Sequence, residues 1–292
     1  MAHLHQRRLE NVKGDFYVDT TCIDCDTCRW MTPEVFRQAG DQSAVYHQPT
    51  TPAERQRALQ ALLACPTGSI GTVEKPTDIQ AAQASFPLAI ADTVYHCGYH
   101  ARSSFGAASY FITRPEGNVM VDSPRFTPPL VKRLEELGGV RYLYLTHRDD
   151  VADHAKFHEH FGCDRLLHVD DMTEATRQVE IPLTGQDPIA LAPDLTIIPV
   201  PGHTRGHTVL WYAQRFLFSG DHLAWSPDLG HLHAFKQACW YSWPVQIDSM
   251  RRLLDYPFEW VLPGHGHRHQ GDRETMHRSL EACIAWMGSQ AS

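Results

Sequence analysis

The chain has 292 residues, a formal net charge of -8, 42% hydrophobic and 21% charged residues, and 19 histidines and 8 cysteines. That length has room for two domains or one large one, each able to bury an adequate core, and eight cysteines in such a chain do not make a small-protein disulfide framework. The acidic balance, with no basic run beyond pairs such as Arg7-Arg8 and no apolar stretch of roughly 18 residues, argues against nucleic acid and membrane as partners and for a soluble, cytoplasmic protein.

Taken from its start, the chain shows a short strand, Asp15 to Asp19, entering Cys22-Ile23-Asp24-Cys25-Asp26-Thr27-Cys28. Three thiolates at two-residue spacing wrap one face of an iron-sulfur cube, and Cys65-Pro66 offers the fourth where proline stops the helical run Pro52 to Ala64. Zinc is the competing metal, but structural zinc sites usually pair two Cys-x-x-Cys knuckles, and this chain has a run of three plus one. Four unligated thiols are disfavoured, because cysteines on an acid-flanked exposed loop would be reactive and poorly buried. Around this loop the sequence predicts a helix over Pro33 to Ala39 closed by Gly40, a strand at Ala44 to His47, inward Leu59, Leu62 and Leu63, and a partner strand at Ile70 to Val73. The stretch from Asp15 to about Val73, with its closing Cys-Pro-Thr-Gly-Ser-Ile, resembles a bacterial-type ferredoxin domain with a single 4Fe-4S cluster held by Cys22, Cys25, Cys28 and Cys65.

From Glu74 to Ala91 the composition shifts to Pro, Thr, Gln, Ala and Ser, which reads as a connecting segment. The expected division is a small α+β domain at 1–75, a linker at 76–91 and a larger α/β domain at 92–292. In the latter, Ala108 to Thr113 and Val119 to Asp122 form a hairpin around Glu116-Gly117-Asn118. Leu130, Val131, Leu134 and Leu137 recur at helical spacing and stop at Gly138-Gly139. The apolar strand Tyr142 to Leu145 then runs into His147, Asp149, Asp150, Asp153 and His154, a mixture of imidazole and carboxylate suited to divalent transition metals. A helix follows to Gly162, with Asp153-His154 in its first turn and Asp150 as its natural N-cap. Further strands are expected at Leu166 to Val169, Leu195 to Val200, Val209 to Tyr212, Phe216 to Phe218 and Trp260 to Leu262, with helices at Val245 to Leu254 and Arg273 to Trp286.

Four pieces lie at strand ends in order: the His147 to His154 cluster, Gly202-His203-Thr204-Arg205-Gly206-His207, Ser219-Gly220-Asp221 and Pro263-Gly264-His265-Gly266. Together they resemble the metallo-β-lactamase superfamily, over roughly Ala91 to the C-terminus. The resemblance implies an αββα sandwich preceded by the ferredoxin-like domain. It also implies a dinuclear centre with His147, Asp149 and His203 on one ion, Asp153, His154 and His265 on the other, and Asp221 bridging. Asp149 stands where the family usually has its second histidine, two extra residues precede Asp153-His154, and Asp150 is the alternative to Asp149. Four neutral imidazoles and three carboxylates carry -3 against +4 from two divalent ions, so a bridging hydroxide would bring the centre to neutrality. The carboxylate tilts the choice of metal toward iron or manganese and away from zinc, and flavodiiron proteins of the same superfamily have one in this position.

The remaining histidines and cysteines have plainer readings. His207 reads as packing, His267 and His269 as a solvated loop, and His96, His100 and His222 as residues near the metal edge. Cys97, Cys163, Cys239 and Cys283 read as small buried hydrophobes. Trp225, Trp240, Tyr241 and Trp243 offer an aromatic wall beside the metals, or ordinary packing.

Two mechanisms follow from this reading. In one, Asp153 and Asp221 serve a metal-activated hydroxide that attacks an ester, thioester or amide of a small-molecule substrate. In the other, which the sequence reading prefers, a di-iron centre does redox chemistry with electrons from the 4Fe-4S cluster, with a redox partner protein and a homodimer left open. A non-enzymatic carrier or sensor is the third.

Overall fold

The computed structural model describes residues 2–290 and divides into two compact units, Met1–Arg141 with Ala152–Gly162, and Tyr142–Val151 with Cys163–Ser292. The first unit begins with β1 (Phe16–Val18), α1 (Thr27–Met31), β2 (Phe36–Ala39), β3 (Gln42–Val45), α2 (Pro52–Ala64) and β4 (Ile70–Thr72). β1 and β4 pair antiparallel, Tyr17 opposite Gly71. Phe16, Val18, Phe36, Val45, Leu59 and Ile70 close a small core in which Cys28 and Cys65 are also buried. α2 starts where the sequence says, because Thr51 and Glu54 form a reciprocal capping box ahead of Pro52.

The helix expected over Pro33 to Ala39 is absent. Phe36 pairs with Val45 and Ala39 with Gln42, around Gly40-Asp41. Gly40 has φ +67°, so these two residues are a tight hairpin turn rather than a helix stop.

The segment 76–91 holds α3 (Ile79–Ala84) and the strand β5 (Leu88–Ala91). β5 leads an antiparallel run with β6 (Val94–His96), β7 (Tyr110–Ile112) and β8 (Val119–Val121), followed by α4 (Pro128–Glu136). α5 (His154–Phe161) completes the unit.

The second unit has a parallel group of β9 (Tyr142–Tyr144), β10 (Asp164–His168) and β11 (Ile181–Leu183). It also has a sheet ordered β12 (Ile189–Ala192), β13 (Leu195–Pro199), β14 (Thr208–Tyr212), β15 (Phe216–Gly220), β18 (Trp260–Pro263) and β19 (His269–Gln270). Between β15 and β18 lie the hairpin β16 (Ala224–Ser226) and β17 (His231–His233) and the helix α6 (Trp243–Arg252), and α7 (Arg273–Ser289) closes the chain. Ile198, Val209, Leu217, Ile247, Met250 and Leu280 are among the buried side chains joining this sheet to its helices.

β13 and β15 both run antiparallel to β14, and β15 runs parallel to β18. Their carboxyl ends therefore share one edge, and His203, Asp221 and His265 follow those three strands. β9 delivers His147 to the same edge. The Thr208 amide donates to Thr146 O at 2.9 Å, and the Tyr144 and Thr208 hydroxyls lie 2.7 Å apart.

His233 on β17 is a pH-sensitive part of this unit. Burial, then repulsion from His231 and His267, push its imidazole from 6.5 down to about 4. The unfolded chain therefore takes up the proton first as pH falls. The stability contributed by the neutral ring is intact above about pH 6.5 and lost between there and about 4. His233 is expected to contribute a loss on the order of 2 kcal/mol to urea unfolding across that window, and His233→Gln to reduce the total loss by that amount.

Candidate metal centre

Six side chains of the second unit converge at the shared strand edge. Asp221 Oδ2 lies 3.6 Å from His147 Nε2, 3.7 Å from His203 Nε2 and 3.7 Å from His265 Nε2. Asp149 Oδ2 lies 3.8 Å from His147 Nε2 and 3.6 Å from His203 Nε2. These separations are too long for hydrogen bonds, but they approach the roughly 3.4 Å edge of a tetrahedron whose bonds are about 2.1 Å, the span of nitrogen and oxygen ligands around one ion. Among the described residues, two donor triads lie within 4.8 Å: His147, Asp149 and His203, and His147, Asp150 and Asp221. His147 Nε2, His203 Nε2, Asp149 Oδ2 and Asp221 Oδ1 are all buried without a hydrogen-bond partner. Buried polar atoms are seldom left so, and four of them aimed at one point fit a cation.

The electrostatics agree with that fit. Burial drives His147 from 6.5 down to about 4, so the ring is neutral at physiological pH, as a ligand must be. The neighbouring His203 imidazole is the main cause that holds the Asp149 carboxyl below its usual range.

The surroundings fix these groups from behind. Thr146 Oγ1 lies 3.0 Å from His147 Nδ1, leaving Nε2 to face the centre. The Asp221 amide donates to His207 Nε2 at 3.2 Å, and the His207 ring stacks on His147 with centroids 4.8 Å apart. His207 is thus a wall of the site, with its Nε2 already engaged. A Cβ on Gly264 would lie 2.7 Å from Asp221 Oδ1 and 2.8 Å from Asp150 Oδ2, so only a hydrogen fits where the last loop passes the carboxylates.

Asp171 is the residue that sequence reasoning missed. Its buried carboxylate accepts from the Arg148 amide at 3.1 Å, from the Thr204 hydroxyl at 2.5 Å and from the Gly206 amide at 2.7 Å. It therefore clamps the loop carrying His147 and Asp149 to the turn carrying His203. The only signal was an acidic pair, Asp170-Asp171, at the end of a strand.

Of the expected ligands, His147, Asp149, His203 and Asp221 stand in the two triads and His265 lies 3.7 Å from Asp221, whereas Asp153 and His154 belong to the first unit. The helix begins at His154, so Asp153 takes the N-cap position. The Asp153 carboxylate accepts from the Phe126 amide and the Lys156 ammonium, each at 2.8 Å. Asp150, expected to cap that helix, is instead 1% exposed and joins the second triad. The two extra residues in the loop let Asp150 turn inward and leave Asp153 to start the helix.

His269 is not on a solvated loop, since β19 pairs with β18 and Trp225 stacks on the His269 ring at 3.5 Å. Trp243 is buried in α6, whereas Trp240 and Tyr241 are exposed, their amides donating to His203 O at 2.9 and 3.0 Å.

In the first unit the four cysteines converge as well. Cys22, Cys25, Cys28 and Cys65 are free thiols lining one cavity with Ile23 and Pro66. Burial pushes Cys25 up to about 12, with the neighbouring Cys65 adding to it, and holds Cys28 well above its usual value. Thiolates so enclosed require cationic partners, which is what an iron-sulfur cluster provides. Ser69 N donates to Cys65 Sγ at 3.3 Å, and Arg125 reaches Leu63 O and Cys65 O at 2.9 and 3.2 Å. His96 and His100 face this cysteine loop, Thr27 and Trp30, within the same unit.

The strand order, the ligand-bearing edge and the thiol cradle define an α/β chain of the metallo-β-lactamase fold with a small N-terminal iron-sulfur module. Residues 18–72 match the family described as the 4Fe-4S single cluster domain of Ferredoxin I. Among solved structures, TMB-1 is 18% identical, with 70% of this chain and 96% of that one covered and a TM-score of 0.53. A metallo-β-lactamase family protein of Thermus thermophilus, TTHA1429, is 17% identical, with 69% and 81% covered and a TM-score of 0.51. Among curated proteins, hydroxyacylglutathione hydrolase of Xanthomonas campestris pv. campestris (strain B100) is 30% identical over 152 residues, which are 50% of this chain and 55% of that protein. The chain thus spans about half the length of the curated relatives it matches. Among the described residues no helix is long and apolar enough to cross a membrane.

Proposed function

We propose that the chain is a metal-dependent hydrolase of a small ester or thioester, with a 4Fe-4S cluster in its N-terminal module. The observation that carries this reading is the set of four buried, unpartnered donor atoms on His147, Asp149, His203 and Asp221, joined by Asp150 and His265. The named activity of the hydroxyacylglutathione hydrolase relative supports the reaction class. Divalent transition metal held there supplies an acidified water and a Lewis acid for the carbonyl. Asp221, at nearly equal distance from three imidazoles, would be the carboxylate held in common by the metal ligands, and Asp150 would take the part expected of Asp153. His207 keeps the Asp221 backbone in position, and Asp171 holds the two ligand loops in register. Trp240 and Tyr241, exposed on the loop bonded to His203 O, would flank the acyl group.

Protein prepared without air and reloaded with metal is expected to hydrolyse small acyl thioesters. Chelation should abolish turnover, and Asp149→Ala should lower it by at least about tenfold. Metal-loaded protein that leaves a panel of thioesters and esters intact would refute the reading.

A redox reading has one observation in its favour, the carboxylate-rich donor set beside a ferredoxin-family match, since carboxylates favour iron or manganese over zinc. Substituting Cys25 by Ser separates the two. Unchanged turnover in a folded variant excludes electron delivery, and lost turnover with the metal centre intact favours it.

A further inference from the structure

In the first unit, a row of close polar contacts runs from two buried histidines to the Cys25 sulfur. His100 Nδ1 lies 2.6 Å from Gly106 O and 3.1 Å from Thr27 Oγ1. Its Nε2 lies 2.8 Å from His96 Nε2, and Thr27 Oγ1 lies 3.4 Å from Cys25 Sγ. His96 and His100 are 0% and 1% exposed.

The proton positions follow from the partners. A backbone carbonyl only accepts, so His100 Nδ1 carries the hydrogen that it gives to Gly106 O. In the neutral ring His100 Nε2 is then an acceptor, and His96 Nε2–H is the donor that meets it. Because His100 Nδ1 is protonated, Thr27 cannot donate to it. The remaining acceptors within reach of the Thr27 hydroxyl are Gly106 O, which already takes the shorter bond from His100, and Cys25 Sγ, each at 3.4 Å. With Cys25 a free thiol its S–H donates to Thr27; with Cys25 a ligating thiolate that hydrogen is gone, and the charged sulfur is the stronger acceptor for the hydroxyl.

The loop that carries these groups is closed tightly over the same cysteine. Gly106 has φ +88°, and a Cβ there would lie 2.8 Å from Cys25 Cβ and 3.0 Å from its Sγ. His100 N also donates to Ala64 O at 3.1 Å, beside Cys65.

We infer that His100, locked in one tautomer by Gly106 and His96, is a positioning residue that aims the Thr27 hydroxyl at the Cys25 thiolate and so raises the reduction potential of a cluster bound there. A hydrogen bond to a ligating sulfur stabilises the more negative, reduced cluster more than the oxidised one. Reduction adds one electron from a donor such as dithionite, and no bond in the protein breaks and no proton moves. This inference rests on the cluster and is independent of the reaction at the metal centre.

The test is a potentiometric titration of the cluster-loaded, full-length protein in a dithionite and mediator series, read by the electron paramagnetic resonance of the reduced cluster. Thr27→Val and His100→Leu are each expected to lower the reduced-to-oxidised ratio at the wild-type midpoint by about tenfold, a shift of about 59 mV for one electron. Thr27→Val combined with His100→Leu should shift no further than either alone. His100→Asn, whose amide nitrogen takes the place of Nδ1, should restore the wild-type midpoint. Should His100→Leu fail to load a cluster, His100→Gln, whose amide reaches the Nε2 position and leaves Nδ1 unreplaced, should show the same shift. An unchanged midpoint in Thr27→Val, or in both His100→Leu and His100→Gln, overturns the inference, as do additive shifts in the double variant or a wild-type chain that assembles no cluster.

Discussion

Asp171→Ala is expected to loosen the whole metal centre although Asp171 lies in neither donor triad. Its carboxylate takes the Arg148 amide, the Thr204 hydroxyl and the Gly206 amide, and removing it leaves three donors facing a cavity. An unsatisfied buried group costs about 1–3 kcal/mol, and an outer partner of a metal site is typically worth about 10–100-fold in affinity. We therefore expect metal affinity at the low end of that fall or beyond, and a stability loss on the order of 3 kcal/mol, because both ligand loops are released at once. Metal competition with a chromogenic chelator, alongside urea unfolding, measures the two effects. Asp171→Asn should be milder, since its amide oxygen still accepts from one side. A variant with wild-type affinity and stability would mean that the loops hold their positions unaided.

Asp221→Ala should have the larger effect on the metal itself. One of its oxygens stands at nearly equal distance from His147, His203 and His265, so its loss removes the group common to all three imidazoles. The three histidines would then supply no negative charge, and the cations would be balanced only by Asp149 and Asp150. Retained metal should fall by more than the roughly 10–100-fold of an outer partner, and turnover should fall with it. The fold should survive, because Asp221 sits on a strand-end loop whose backbone is held from both sides. Its amide donates to His207, and the Gly264 amide donates to Gly220 O at 2.9 Å. Elemental analysis with circular dichroism distinguishes a metal-free folded variant from an unfolded one.

The parts of this protein that were legible in its sequence are those whose signal is local. The span of α2 was readable because Thr51, Pro52 and Glu54 state its start, and Cys65-Pro66 states its end. The strands that deliver His203, Asp221 and His265 were readable as apolar runs ended by Gly or Pro. One reading failed for a physical reason. Pro33 to Ala39 is too short for helical periodicity to outweigh Gly40-Asp41, a two-residue turn that fixes a hairpin. In the first ligand loop, where the family resemblance implied Asp153 and His154 as ligands, Asp150 turns inward to join His147 and Asp221, and Asp153 begins the following helix. Asp171 and the relay from His96 to Cys25 could not be found from the chain alone, because each joins segments far apart in sequence whose only common feature is where the fold brings them.

The strand edge of the second unit is expected to hold transition metal of its own, in addition to the iron of the thiol cradle in the first. Metal and sulfide analysis of protein purified without air tests it directly, with wild type beside Asp221→Ala. The wild-type protein is expected to contain about four irons with matching sulfide for a single cluster, plus additional zinc, iron or manganese that Asp221→Ala loses while keeping its sulfide. Wild-type protein with nothing beyond the cluster's iron, or extra metal that persists in Asp221→Ala, would contradict the account.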